Sequence, residues 1–257
     1  MSLPVAIVTG GSRGIGRAIS ERLAADGYAV AVNFVSREAA AAEVVAAIQS
    51  AGGTAMAIKG SVAEAEDRLN LVDQVVAEYG QIDVLVNNAG ITSPGRKDVL
   101  ELTEDSWDQV FATNLKGPFF LSQEVACRML DFRAAGIISG GKIINLSSIS
   151  AYAISTNRAD YCIAKSALKM MTWLFADRLA EENIQAFEIR PGVIQSDMTA
   201  PVKEKYDQLI AEGMTPIRRW GKPEDIAQAV SAICGDAFPF STGDSFDVDG
   251  GFHLRRL

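Results

Sequence analysis

Tyr161 and Lys165 stand four residues apart in a helix-like stretch, and Ser148 lies thirteen residues before the tyrosine at the end of an apolar run. Residues i and i+4 project from one face of a helix, so a phenol and an ammonium would meet there. An ordinary tyrosine, with a pKa of about 10, is a poor acid or base near neutrality, but a fixed cation beside it favours the phenolate. The pair therefore reads as a device for moving a proton to or from a carbonyl oxygen. When hydride reaches a carbonyl carbon, negative charge grows on the oxygen, and donors around that oxygen stabilise the transition state. Ser148 and Tyr161 are the candidate donors, with Tyr161 giving its proton in reduction and taking it back in oxidation. Cys162 follows directly but is turned about 100° around the helix, so it is expected to point elsewhere.

A second constellation lies near the start. The first strand-like run ends in Thr9-Gly10-Gly11-Ser12-Arg13-Gly14-Ile15-Gly16 and passes into a helical pattern. Gly10, Gly14 and Gly16 permit a tight turn and close backbone approach, and the amides of a helix N-terminus attract phosphate oxygens. Gly10, Ser12, Arg13, Gly14, Ile15 and Gly16 are thus expected to hold the pyrophosphate of a dinucleotide. Cofactor choice is read at the end of the second strand, where an acid would bind both ribose hydroxyls of NAD and repel a 2′-phosphate. The chain instead reads Asn33-Phe34-Val35-Ser36-Arg37, with no acid before Glu38. Arg37 would pair with the phosphate, Ser36 would donate to it, and Arg13 would approach from the glycine loop. Asn33 belongs to the same group. NADPH is favoured, and Glu38 keeps NAD in consideration.

These residues need a scaffold of alternating elements. Short β-rich runs at 5–9, 29–34, 54–58, 84–86, 142–146, 184–189 and 245–248 alternate with helical patterns at 14–25, 37–50, 63–79, 106–133, 160–181 and 223–233. That alternation predicts an α/β, Rossmann-like doubly wound fold: a seven-stranded, mainly parallel sheet with helices on both faces. Pro223-Glu224-Asp225 places a proline and two acids where a helix start wants them. The segment 196–220, which follows the sixth strand near the ligand-binding edge, is a candidate substrate cover.

At 257 residues, with 48% apolar and 22% charged, the chain reads as one domain over 1–257 without linkers or repeats. A net charge of −8 opposes nonspecific binding to nucleic acid or to anionic membranes. The apolar run 5–8 is too short for a signal-peptide core or a membrane span, so a cytoplasmic protein is expected. Three scattered cysteines, Cys127, Cys162 and Cys234, suit neither a disulfide framework nor a metal site, and no metal is expected. His253 is the only histidine, and a surface or packing role is expected for it.

Taken in order, the motifs Thr9-Gly10-x-x-x-Gly14-x-Gly16, Asn87-Asn88-Ala89-Gly90, Asn114, Asn145-Leu146-Ser147-Ser148, Tyr161-x-x-x-Lys165, Pro191-Gly192 and Val248-Asp249-Gly250-Gly251 resemble the short-chain dehydrogenase/reductase family over essentially the full chain. The resemblance implies that Lys165 lowers the phenol pKa and binds the nicotinamide ribose, and that Asn114 holds a water linking Lys165 to solvent. It places Asn87, Ala89 and Gly90 against the cofactor. It also sets Pro191, Gly192, Ile194 (through its backbone) and Ser196 (through its hydroxyl) at the nicotinamide end. Ser61 and Val62 fall at the adenine, with Ser61 where the family commonly has Asp or Asn. A small carbonyl or alcohol substrate and a homotetramer are implied as well.

Within the family the texture is similar to 3-oxoacyl-[acyl-carrier-protein] reductases, which implies ketone reduction with acyl carrier protein as a partner. Two stretches bordering the expected substrate pocket depart from that pattern: Ser93-Pro94-Gly95-Arg96-Lys97-Asp98, and the approach to the tyrosine over 151–160. A sugar or polyol dehydrogenase is the enzymatic alternative. A dinucleotide-sensing binding protein is the alternative of another class, against which the intact Ser148, Tyr161 and Lys165 argue.

Overall fold

Strand β1 (Val5–Val8) and strand β2 (Ala29–Phe34) are buried at every position, as expected of strands covered on both faces. In the computed structural model, which describes residues 3–196 and 203–255, they are adjacent interior strands of a seven-stranded sheet. The other strands are β3 (Thr54–Lys59), β4 (Val84–Asn87), β5 (Gly141–Leu146), β6 (Ile184–Pro191) and β7 (Ser245–Val248). Their order is β3-β2-β1-β4-β5-β6-β7, and every pairing is parallel. The sheet is therefore wholly rather than mainly parallel.

Successive strand residues serve opposite faces. Ala6, Val8, Val30, Val32, Val84 and Val86 pack with α1 (Gly14–Ala25) and α8 (Pro223–Cys234) in one apolar cluster. Val5, Ile7, Ala29, Ala31 and Leu85 pack on the other side with α3 (Ala65–Tyr79), α5 (Gly117–Ala134) and α6 (Ala159–Leu179). The remaining helices are α2 (Glu38–Ser50), α4 (Glu104–Phe111) and α7 (Lys203–Ala211). Strand order reverses direction between β1 and β4, which opens a crevice beyond the carboxyl ends of these strands.

The helical pattern expected over 106–133 is divided in two. Between α4 and α5, residues Ala112–Lys116 form a π-helical turn. Pro118 has no N–H for the carbonyl of Asn114 four residues back. Gly117 adds a packing constraint, since a side-chain carbon there would lie 2.5 Å from the Val62 carbonyl oxygen. Such widened turns recur at functional sites, and this one carries Asn114 at 0% exposure. At α8 the expected start holds: the Asp225 carboxylate accepts from the Lys222 amide at 2.7 Å, and Pro223 opens the helix.

Candidate active site

The crevice is a cleft of about 760 Å³ running from the glycine loop to the N-terminal part of α6. Of the residues expected at a site, it is lined by Gly10, Ser12, Arg13, Gly14, Ile15, Gly16, Asn33, Ser36, Arg37, Ser61, Val62, Ala89, Gly90, Ser148, Tyr161, Lys165, Pro191, Gly192, Ile194 and Ser196. Asn87 and Asn114 stand behind its surface.

The glycine loop is shaped by contact as well as by torsion. Gly14 has φ +52, and a side-chain carbon at Gly16 would lie 2.2 Å from the Gly10 carbonyl oxygen. Asn33 braces this turn from below: its Oδ1 accepts from the Gly10 amide at 3.4 Å, and its Nδ2 donates to the Gly60 carbonyl at 2.9 Å. At 1% exposure it holds the loop's shape more than it offers a contact surface. Arg13, Ser36 and Arg37 are exposed at this end of the cleft.

Asn87 lies in a buried polar chain. Its Nδ2 donates to Ser122 Oγ at 2.8 Å and to Asn145 Oδ1 at 2.9 Å, and Asn145 Nδ2 donates to Thr172 Oγ1 at 2.9 Å. It thereby joins β4, β5, α5 and α6. Asn88 is the neighbour that faces the cleft, donating to the Thr9 carbonyl at 2.8 Å. The motif Asn87-Asn88-Ala89-Gly90 contained it, but alternation at the strand end was needed to tell which asparagine points outward.

Strand β5 delivers two serines with different fates. Ser147 is turned inward, donating at 2.5 Å to Glu188, which is fully buried on β6. Ser148 follows in extended backbone, φ −177, and its Oγ accepts from the Ser150 amide at 3.1 Å. That acceptance leaves the Ser148 proton available for donation, and the hydroxyl lies on the side of the Tyr161 phenol, where it favours the phenolate.

Tyr161 is 8% exposed, and burial pushes its phenol above the usual tyrosine range. The Ser148 hydroxyl and the Arg158 guanidinium oppose that rise. Arg158 therefore exerts on the phenol a cationic influence of the kind that the spacing assigned to Lys165. The Lys165 ammonium, 5.8 Å from the Tyr161 ring centroid, donates to the Leu146 carbonyl at 2.7 Å. Burial lowers its pKa to about 8, against the pull of the Glu188 carboxylate. Asn114 closes the back of the site: Oδ1 accepts from the Ile91 amide at 2.8 Å, and Nδ2 donates to the Ile91 carbonyl at 2.8 Å. A side-chain carbon at Gly90 would lie 3.2 Å from Asn114 Oδ1 and 3.5 Å from Lys165 Nζ, so these two groups converge on one glycine.

Residues beyond those expected also line the cleft, among them Thr92, Arg96, Arg158 and Tyr206. Arg96 and Arg158 lie in the two stretches whose sequence departs from the 3-oxoacyl reductase pattern, and that departure was the available signal. Tyr206, on α7, comes from the candidate cover; residues 197–202 of that segment lie outside the described residues. His253 pairs with Asp249 at 2.9 Å, away from the cleft lining.

A doubly wound parallel sheet, a glycine turn at a helix N-terminus and a Ser-Tyr-Lys set in one cleft define a dinucleotide-dependent oxidoreductase. A family model described as enoyl-(acyl carrier protein) reductase matches residues 10–253. The 3-oxoacyl-[acyl-carrier-protein] reductase FabG of Staphylococcus epidermidis is 37% identical over 250 residues, covering 97% of this chain and 98% of that protein. The 3-oxoacyl-[acyl-carrier-protein] reductase of Synechocystis is 36% identical over 253 residues, covering 98% and 97%. The crystal structure of a 3-oxoacyl-[acyl-carrier protein] reductase from Brucella melitensis in complex with NAD superposes with a TM-score of 0.94 at 39% identity, over 100% of both chains. This chain belongs to the short-chain dehydrogenase/reductase family and is an NAD(P)-dependent oxidoreductase.

Proposed function

We propose that this enzyme uses NADPH to reduce a ketone to a secondary alcohol, with Ser148, Tyr161 and Lys165 as its catalytic residues. The observation that carries the reading is their convergence at the inner end of a cleft that starts at a phosphate-binding glycine turn and has no carboxylate in its described lining. When bound, the dihydronicotinamide supplies the hydride. Tyr161 gives a proton to the substrate oxygen, and Ser148 donates a hydrogen bond to the same oxygen as charge develops there. Lys165, still largely cationic at neutrality with a pKa of about 8, favours the phenolate that remains and holds the ribose hydroxyls. Asn114 retains one N–H and one oxygen lone pair beyond its bonds to Ile91, enough to hold a water on the path that reprotonates Lys165.

Arg13, Ser36 and Arg37 support NADPH over NADH, because a 2′-phosphate there would meet two guanidinium groups and a hydroxyl. The names of the relatives make a 3-oxoacyl chain, carried on acyl carrier protein, the first substrate to try. Tyr206 on α7 supports a covering role for the segment around 203–220. The three cysteines are free, which suits a reducing cytoplasm. Exposed apolar residues on α6 (Ile163, Met170, Leu174) and α5 (Phe120) support assembly into a homotetramer through these helices.

The test is a turnover screen with NADPH and NADH against 3-oxoacyl thioesters, diketones, sugars and polyols, repeated with Tyr161→Phe. NADPH consumption with a ketone, reduced about 10²- to 10⁴-fold in the variant while cofactor binding persists, is the expected result. Unchanged turnover in Tyr161→Phe would remove the tyrosine from the proton-donor role.

A further inference from the structure

Five cations line the cleft, namely Arg13, Arg37, Arg96, Arg158 and Lys165, and no Asp or Glu is among its described lining residues. In a chain of net charge −8 this is a strong local bias toward anionic ligands. Arg13 and Arg37 stand at the adenosine end and Lys165 beside Tyr161. Arg96 and Arg158 have no place in the cofactor motifs of the sequence.

Arg158 is the one nearest the chemistry. It occupies the N-cap position of α6, three residues before Tyr161, with its guanidinium carbon 5.5 Å from the tyrosine ring centroid. Its hydrogen bonds are long and go to neutral oxygens: Nε to Ser155 Oγ at 3.3 Å, and a terminal nitrogen to Ser150 Oγ at 3.5 Å. Neither Arg158 nor Arg96 forms an ion pair among the described residues. A guanidinium has five N–H donors in a planar fork. Holding one half-buried with no acid beside it is costly unless a ligand satisfies it. Thr92 Oγ1, also at the cleft, is buried and has no hydrogen-bond partner.

We infer that Arg158 receives a carboxylate of the substrate, so that the ketone reduced here is a short oxo acid taken as the free acid rather than as a thioester or ester. The inference rests on the ketone-reductase reading above and sets a free oxo acid in place of the carrier-bound thioester suggested by the names of the relatives. A carboxylate fills the guanidinium fork with two parallel charge-assisted bonds, whereas a thioester or ester offers one neutral carbonyl at the same place. The single helical turn between Arg158 and Tyr161 sets the spacing. The carboxylate must lie within a few bonds of the carbonyl that takes the Tyr161 proton, as it does in a 2-oxo or 3-oxo acid. Arg96 adds a second cation to the cleft and Thr92 a hydroxyl.

The experiment compares kcat/KM of the NADPH-bound enzyme for 2-oxobutanoate and 3-oxobutanoate, each beside its methyl ester, together with the N-acetylcysteamine thioester of the 3-oxo acid and 2-oxopropylphosphonate. One of the acids is expected to exceed its ester by about 30-fold, mostly through KM, the size of a charge-assisted contact. Arg158→Gln should collapse that acid-to-ester ratio toward unity whatever happens to the absolute rates, and Arg158→Lys should restore part of it. An ester or thioester used as well as the acid, or a ratio unmoved by Arg158→Gln, would overturn the assignment. A phosphonate preferred to both acids would overturn the carboxylate in favour of a phosphoryl group. Calorimetric binding of malonate to the NADPH-bound chain separates this inference from the reductase reading. If no ketone is reduced but malonate binds about 30-fold more weakly to Arg158→Gln than to the parent, the anion site stands and the reductase reading fails. If malonate does not bind, the anion site falls.

Discussion

Lys165 donates from Nζ to the Leu146 carbonyl at 2.7 Å, tying the middle of α6 to the last residue of β5, two positions before Ser148. One bond thus sets the helix that carries Tyr161 against the strand that carries its partner serine. The same ammonium is 5% exposed, and its environment makes it a pH-sensitive part of the site.

Its folded-state pKa is lowered from 10.5 to about 8 by burial, so between these values the unfolded chain binds more protons than the folded one. Stability contributed by this residue therefore rises with pH across that window. Against Lys165→Met, the parent should gain up to about 3 kcal/mol from the lower to the upper limit, read as the difference between urea melts of the two proteins at stepped pH. A difference that stays flat would place the titration of Lys165 elsewhere.

Glu188 is fully buried and receives Ser147 and Ser245 hydroxyls at 2.5 Å each, with an Arg190 nitrogen at 2.8 Å. Glu188→Ala leaves Arg190 and both serines without that acceptor and should cost about 3 kcal/mol of stability. Glu188→Gln keeps the shape and should cost less, but it removes the carboxylate that favours charged Lys165. The alkaline fall in reductase activity should then begin at lower pH than in the parent, a displacement that a purely structural loss does not produce.

Cofactor preference is expected to follow the cations at the end of β2. Arg37→Ala should weaken NADPH about tenfold in KM and leave NADH within about twofold, since only the former brings a 2′-phosphate to a charge-assisted bond. Steady-state kinetics with both cofactors give the answer, and equal losses for the two would assign Arg37 to the helix start alone.

Leu174 is 57% exposed on the outer face of α6, one turn from Met170 at 54%. Replacing both by glutamate puts charge on an apolar face and should shift the mass in solution from that of the proposed tetramer toward smaller species, as measured by light scattering. An unchanged mass would move assembly to another surface.

The sequence by itself determined the repeating strand-helix order, the glycine turn and the Ser-Tyr-Lys spacing, because each rests on short spacings that backbone geometry converts directly into shared faces. Only the tertiary structure separated Ser147 from Ser148 and Asn87 from Asn88. Adjacent residues at a strand end face opposite sides, and which side is inside depends on partners such as Glu188 and Asn145, 41 and 58 residues away along the chain. The division of the long helix at Ala112–Lys116 likewise answers to Pro118 and to the Val62 backbone packed on Gly117. Arg158 was marked in the sequence only by the unusual stretch that holds it. Its meaning came from the three-dimensional census of charge in the cleft, where a ligand's choice of partner is made by what surrounds it in space.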